Sequence, residues 1–197
     1  MIDTLESIDR ALVLAVNSWN TPWLDEVMWW ISARITWIPL YLLLVYLGLK
    51  NLSRNALTFY VLSAISAVIL ADLISVYAFK EVFMRYRPSH HALLTNRLHL
   101  YEIKPGEFYK GGMYGFISSH AANFFALATL SGKVFQVRFP KMKYFLFAAA
   151  VLICFSRLYL GVHYVSDLLI GGLVGVCMGY FCYRLIYLRF TTKTSSE

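Results

Sequence analysis

The sequence predicts an all-α, polytopic membrane protein: a bundle of about five transmembrane helices with an interfacial amphipathic helix at its N-terminus. Three observations carry this expectation. The 197 residues are 59% hydrophobic and only 15% charged, far from the balance of an ordinary soluble domain. Several apolar runs approach the roughly 20 residues that a helix needs to cross a bilayer. Much of the net charge of +7 falls in short loops between those runs. The length suits a single domain covering 1–197.

Taken in order, residues 4–19 place Leu5, Ile8, Leu12, Ala15, Val16 and Trp19 at helical spacing. Glu6, Asp9 and Arg10 make this segment too polar to span, so it is expected to lie in the interface. It carries no basic start and does not read as a cleaved signal peptide. Asn20-Thr21-Pro22 breaks it, and Trp19, Trp23, Trp29 and Trp30 are expected as an interface belt. Spans follow at 27–49, 56–79, 118–132, 144–156 and 164–187, before a basic, polar tail. The first holds Arg34 and Pro39, the second Asp72. Arg34 and Asp72 fall at similar depth, roughly 10–12 Å below the outer edge at 1.5 Å per residue, which suggests an ion pair inside the bundle.

Segment 80–117 is the one long polar connection, and long loops on a rigid scaffold are where sites gather. Its cations Arg85, His90, His91, Arg97, His99, Lys104 and Lys110 read one by one as a solvated face. Loops 50–55 and 133–143 and the tail 184–197 carry nine Lys and Arg residues and one acid, which assigns them to the cytoplasm. Segment 80–117 is then external, though itself basic. No zinc-finger or stacking-aromatic pattern accompanies the charge, so nucleic acid is not an expected partner. Cys154, Cys177 and Cys182 are odd in number and lie in apolar stretches, as packing residues rather than a disulfide framework.

Three stretches share the external face. The first is KEVFMRYRP, 80–88; the second is ISSH, 117–120; the third is SRLYLGVHYVSD, 156–167. His163 and Asp167 are one helical turn apart, so the carboxylate can fix the tautomer of the imidazole. Lys80, Arg87 and Arg157 could surround an anion, and arginine can grip two of its oxygens at once. Ser118 and Ser119 stand at an expected helix start, where free amides and the helix dipole attract anions. Asp167 could instead only cap a helix, and the cations could be membrane-edge side chains. Ser156 either binds phosphate or ends the fourth helix.

In this order, Lys-x6-Arg-Pro, Ser-x-His and Ser-Arg-x5-His-x3-Asp, the chain resembles the type 2 phosphatidic acid phosphatase superfamily, which includes lipid phosphatases and vanadium haloperoxidases. The first and third motifs match fully. In the second, Ile117 and Ser119 replace the family's proline and glycine. The resemblance implies His163 as nucleophile forming a phosphohistidine, Asp167 as its orienting carboxylate and His120 as proton donor to the leaving oxygen. It implies phosphate held by Lys80, Arg87, Ser118, Ser119, Arg157 and Ser156, with Ser119 contributing mainly its N–H. No metal or cofactor is implied; His90 and His91 are adjacent and lack a carboxylate cluster.

The expected function is therefore a metal-independent membrane lipid phosphatase. Its partners would be the bilayer and a phosphorylated lipid: undecaprenyl diphosphate, lipid A, phosphatidylglycerol phosphate or phosphatidic acid. A bacterial inner membrane with the site facing the periplasm is the expected location. A vanadate-dependent haloperoxidase-like enzyme and a non-catalytic scaffold or transporter are the alternatives. The first is disfavoured by the spans and the second by the joint presence of His120, His163 and Asp167.

Overall fold

A computed structural model describes residues 2–193. Helix α1 (Ile2–Asn17) buries Asp9, Val13 and Asn17, which are spaced four apart, and exposes Leu5, Ile8 and Leu12. This is the amphipathic helix the pattern predicts. Asn17 ends it by donating to the carbonyls of His99 (2.8 Å) and Tyr159 (2.7 Å), which pins its C-terminus to the site end of the bundle.

The first span is not one helix. Helix α2 (Pro22–Ser32) stops at extended Ala33, a 3₁₀ turn covers Arg34–Trp37, and α3 (Ile38–Asn51) leaves at 65° to α2. Pro39 is the physical reason. It has no N–H to give the carbonyl four residues back, and its ring collides with that carbonyl, so a helix cannot run through 35–39. Two side chains take up carbonyls freed at the end of α2. Thr36 Oγ1 donates to Trp30 O (2.6 Å) and Trp37 Nε1 to Ile31 O (2.8 Å).

Helix α4 (Arg54–Leu73) is capped by Ser53, whose Oγ accepts from Ala56 N at 3.2 Å. It continues through π-helical turns at Ile74–Lys80 into α5 (Glu81–Phe83), and left-handed Met84 ends the run. After the long connection come α6 (Ser119–Val134), α7 (Met142–Tyr159) and α8 (Val165–Cys182). A π-helical stretch at Tyr183–Leu188 and α9 (Arg189–Lys193) extend α8, so the expected polar tail is helical to Lys193, and 194–197 lie outside the described residues.

Among the described residues, Arg54–Phe83, Met142–Tyr159 and Val165–Thr191 are each long and apolar enough to cross a membrane, and the bent α2–α3 pair makes a fourth. The remaining expected span is α6. At 16 residues it is about 24 Å long. Ten of those residues are buried, so α6 meets α4, α7 and α8 on most of its surface rather than lipid.

The α6–α8 contact is built from small side chains. Gly171, Gly175 and Gly179 of α8 face the carbonyls of Ser118, Ala122 and Ala126 of α6, and a Cβ added to each glycine would stand 2.7, 2.3 and 2.3 Å from them. Without a solvent-driven hydrophobic effect, close backbone approach is what holds such a helix pair together. Gly175→Ala is expected to destabilise the protein by about 1–3 kcal/mol through forced separation of the helices. Thermal unfolding in detergent checks this, with Gly112→Ala as control, because nothing lies within 4 Å of the Cβ it would add.

The connection 84–118 folds against α2. A hairpin of β1 (Glu102–Lys104) and β2 (Glu107–Phe108) turns at Gly106, φ 80°. Trp29 stacks on Tyr101 (4.5 Å between ring centroids) and meets Tyr109 edge-on (4.9 Å). Trp29 therefore leaves the expected interface belt, whereas Trp19, Trp23 and Trp30 are exposed as predicted.

Candidate active site

The five residues between α7 and α8 carry His163 into the protein, and the first turn of α8 receives it. Asp167 is the third residue of that turn. Its Oδ2 accepts from the N–H of Tyr164 (3.0 Å), closing the helix, and lies 3.2 Å from His163 Nδ1. One oxygen is thus both helix cap and histidine partner, so the two readings of Asp167 open in the sequence coincide. His163 Nε2 sits 3.0 Å from Arg87 Nη1, which can only donate. The two partners assign the tautomer: Nδ1 carries the proton toward Asp167, and the Nε2 lone pair faces the guanidinium. His163 is fully buried outside the spanning helices. Burial first, then Arg87 and Arg157, lower its pKa well below the usual imidazole value, so it is neutral at neutral pH.

Arg87 is fixed by two more contacts. Its Nε donates to Tyr114 O at 3.2 Å, and Nη1 also approaches Val162 O at 3.3 Å. Gly111 (φ 67°) and Gly115 let the chain pass over it; added Cβ atoms would come within 3.0 and 2.9 Å of the Arg87 side chain. Burial, then Arg157, lower the Arg87 pKa to about 10, which leaves it cationic at neutral pH.

Lys80 Nζ donates to Ser119 Oγ at 2.5 Å, and the same hydroxyl meets Ser75 Oγ at 2.5 Å. The side chain of Ser119 thus holds the lysine. Glycine at this position could not provide this contact. Ser118 caps α6, its Oγ accepting from Ala121 N (3.4 Å), and its own N–H donates to Asp167 O (3.1 Å), joining the second and third motifs. His120 is the second residue of α6, beside the lysine anchor.

Arg157, buried near the end of α7, donates to Ser32 Oγ of α2 and to Tyr109 Oη (2.9 Å), and its Nε is buried without a partner. Ser156 is fully buried and its Oγ bonds Ile153 O at 2.7 Å. It lies inside α7, which runs on to Tyr159, so the reading that it ends the helix does not hold. The remaining predicted residues converge: Lys80, Arg87, Arg157, Ser118, Ser119, His120, His163 and Asp167 gather at one end of the bundle. At the other end, Leu52, Phe135, Phe139, Met142, Tyr183 and Tyr187 cluster with the basic loops.

Three residues that matter here were not picked out by sequence. Arg85, read above as part of a solvated loop, reaches inward. Its Nη1 donates to Asp167 Oδ1 (3.1 Å) and Ser166 Oγ (2.7 Å), its Nη2 to Asp9 Oδ2 (2.9 Å), and its guanidinium lies 4.1 Å from the Tyr164 ring centroid. Asp9, buried on α1, also accepts from Ser166 N at 3.1 Å. Tyr109 binds Arg157 through its hydroxyl. The available signal was the Asp9–Val13–Asn17 stripe, which puts two polar groups on an otherwise inward face.

Below His120 a cavity of about 460 Å³ runs between α3, α4 and α6. Its walls are almost entirely apolar, and His120, Asn123, Phe124 and Leu127 descend its α6 side. Arg34, displaced by the break after α2, is at its head. The pair expected between Arg34 and Asp72 is not formed among the described residues, because the break turns Arg34 toward this cavity. No cluster of three His, Cys, Asp or Glu suited to a metal occurs among the described residues.

A family model described as the PAP2 superfamily matches residues 56–191. The chain is 34% identical over 184 residues to a lipid A 4'-phosphatase of Porphyromonas gingivalis, covering 92% of this chain and 75% of that protein. It is 30% identical over 197 residues to a lipid A 4'-phosphatase of Bacteroides thetaiotaomicron, covering 100% and 84%. Among solved structures it resembles a transmembrane PAP2 type phosphatidylglycerolphosphate phosphatase from Bacillus subtilis, with TM-score 0.65, 22% identity and coverage of 91% and 84%. LpxE of Aquifex aeolicus gives TM-score 0.59 at 22% identity, covering 87% and 92%. At that identity the two structures speak to the fold.

Proposed function

The chain belongs to the PAP2 superfamily and is an integral membrane lipid phosphatase, and from that membership we propose that it removes a phosphate monoester from lipid A through a phosphohistidine on His163. The observation that carries the mechanism is the pairing of His163: Nδ1 on Asp167 and Nε2 toward Arg87, inside a wall of cations. Lys80, Arg87 and Arg157 hold the non-bridging oxygens, with the unpaired Nε of Arg157 and the first amides of α6 as further donors. Charge on those oxygens is stabilised without reorganisation, because the cations are already fixed by Ser119, Tyr114, Ser32 and Tyr109.

The Nε2 lone pair attacks phosphorus and the bond from phosphorus to the leaving alcohol breaks. His120 gives that alcohol its proton, and Asp167 stabilises the imidazolium that forms. Water then attacks the phosphohistidine, passing a proton to His120 and releasing inorganic phosphate. The apolar cavity below His120 receives acyl chain. The relatives favour lipid A among the four lipids the sequence admits. The basic loops at the opposite end support a site facing the periplasm from the inner membrane.

The test is phosphate release by the purified enzyme from lipid A, phosphatidic acid, phosphatidylglycerol phosphate and undecaprenyl diphosphate, with and without EDTA. Lipid A is expected to give the highest kcat/KM, unchanged by the chelator. Release from another lipid but none from lipid A overturns the substrate. Loss of activity in EDTA, restored by a metal, overturns catalysis by cationic side chains alone.

A further inference from the structure

Arg34 and Asn123 line the cavity and take no part in the mechanism above; of the other polar side chains there, the Tyr60 hydroxyl is paired with Ser131. Arg34 lies in the break between α2 and α3 and makes no hydrogen bond or ion pair among the described residues; it lines the head of the cavity together with His120. Asn123 stands three residues after His120, hence on the same face of α6, and lines the same wall. Its Oδ1 is buried and accepts from nothing. A buried acceptor left unpaired is costly and uncommon in a folded protein, and Arg34, itself exposed, sets a cation at the mouth of a mostly apolar cavity.

Their position relative to the chemistry gives them a use. His120 serves the leaving oxygen, so whatever is bonded to that oxygen occupies the space just below it, which Arg34 and Asn123 border. Beyond them, apart from Tyr41 and Tyr60, the lining is Val61, Ile65, Leu127 and similar side chains, suited to hydrocarbon. An unpaired carbonyl oxygen asks for a hydroxyl or amide N–H. A guanidinium asks for an anion, which it can hold through two parallel hydrogen bonds. A glycerol esterified at both remaining hydroxyls offers neither group, and undecaprenyl phosphate, the leaving group of the diphosphate, offers an anion but no such donor; phosphatidylglycerol offers a hydroxyl and a phosphodiester, and the relatives decide between it and a sugar. A sugar with a hydroxyl or acylamide beside the scissile bond, and a second anionic group further along, offers both.

We propose that Arg34 and Asn123 form a leaving-group subsite that selects a phosphorylated glycolipid bearing a second anion. Asn123 Oδ1 accepts from a donor on the leaving sugar, and Arg34 pairs with the second anionic group. This rests on the lipid A reading and adds to it the residues that recognise the part of the substrate the phosphate pocket does not touch.

The experiment compares wild type with Asn123→Leu, which keeps the volume, and with Arg34→Gln and Arg34→Lys. Two quantities are measured: kcat/KM for phosphate release from lipid A, and the inhibition constant of inorganic phosphate. Phosphate fills the catalytic pocket but has no leaving group. The expected result is a loss of about tenfold or more in kcat/KM for Asn123→Leu and Arg34→Gln, partial retention in Arg34→Lys, and an unchanged phosphate inhibition constant. Unchanged kcat/KM overturns the subsite. So does a phosphate inhibition constant that weakens in step with kcat/KM, because the side chains would then be supporting the catalytic pocket or the fold. A wild type that releases nothing from lipid A overturns the substrate reading itself, and with it the subsite. The two failures are distinguished by the wild-type rate.

Discussion

His163→Ala is expected to lower kcat by at least about a thousandfold, because it removes the attacking atom and no other group in the pocket can replace it. The effect should fall on kcat, with little change in binding of inorganic phosphate, since the three cations that hold phosphate have their own supports. The positive counterpart is a trapped intermediate. Brief incubation of wild type with phosphate-labelled lipid, quenched in alkali, should leave label on the protein, and His163→Ala should leave none. An alanine variant that keeps wild-type turnover, or label that persists in it, would move the nucleophile elsewhere. Asp167→Asn tests the partner. The amide retains the shape but gives up the charge that stabilises the imidazolium, so a large loss in kcat is expected there too.

Arg85→Ala carries the second-largest expected effect. Asp167 is fully buried, and of its two oxygens one serves His163 and the Tyr164 amide while the other has Arg85. Removing one member of a buried ion pair leaves the other charge without compensation, a loss of about 3–5 kcal/mol in well-buried cases. Arg85 is partly exposed, so water can recover some of that. The expected outcome is a fall in kcat of about 10- to 100-fold with a smaller change in KM. Asp9→Asn should act in the same direction, since Asp9 holds the far end of the guanidinium at 2.9 Å. The double variant should be less than additive, because both changes release the same arginine. If Arg85→Ala turns over at the wild-type rate, Asp167 needs no support beyond its own helix.

The site was legible to the extent that its chemistry is local in sequence. His163 and Asp167 are one turn apart, and Lys80 and Arg87 bracket one helix end. The spacing therefore carries geometry with it. Arg85 was illegible for the opposite reason. Its three partners, Asp9, Ser166 and Asp167, lie 76 to 82 positions away, and nothing in a basic loop tells which cation turns inward. The Ser119 hydroxyl was not foreseen as a lysine anchor, because a family glycine implied a backbone role alone, whereas the hydroxyl that stands there bonds Lys80. The fold was legible wherever apolar length decided it. It was less so at Pro39, where the composition of a span continues but the backbone cannot. The Arg34–Asp72 pair failed on that same residue: equal depth along two straight helices means little once one of them is broken. The glycine seam left a visible period of four from Gly171 to Gly179, but its partner on α6 is a row of carbonyls, which have no letter in a sequence.

That seam sets where the enzyme can change. The helix that presents the acid and the helix that presents the nucleophile's carboxylate touch backbone to backbone, so neither can slide or tilt without breaking the other's packing. Catalysis is in effect cast as one piece. The elbow at Ala33, by contrast, lies outside the seam. A lineage could remodel that elbow, lengthen the cavity or exchange Arg34, and so adopt a different lipid, while the reacting groups stayed where they are. Substrate choice and chemistry are thereby separately heritable, and chimaeras that exchange 33–51 between relatives, leaving Ser32 on Arg157 in place, should inherit the donor's lipid preference with the recipient's chemistry.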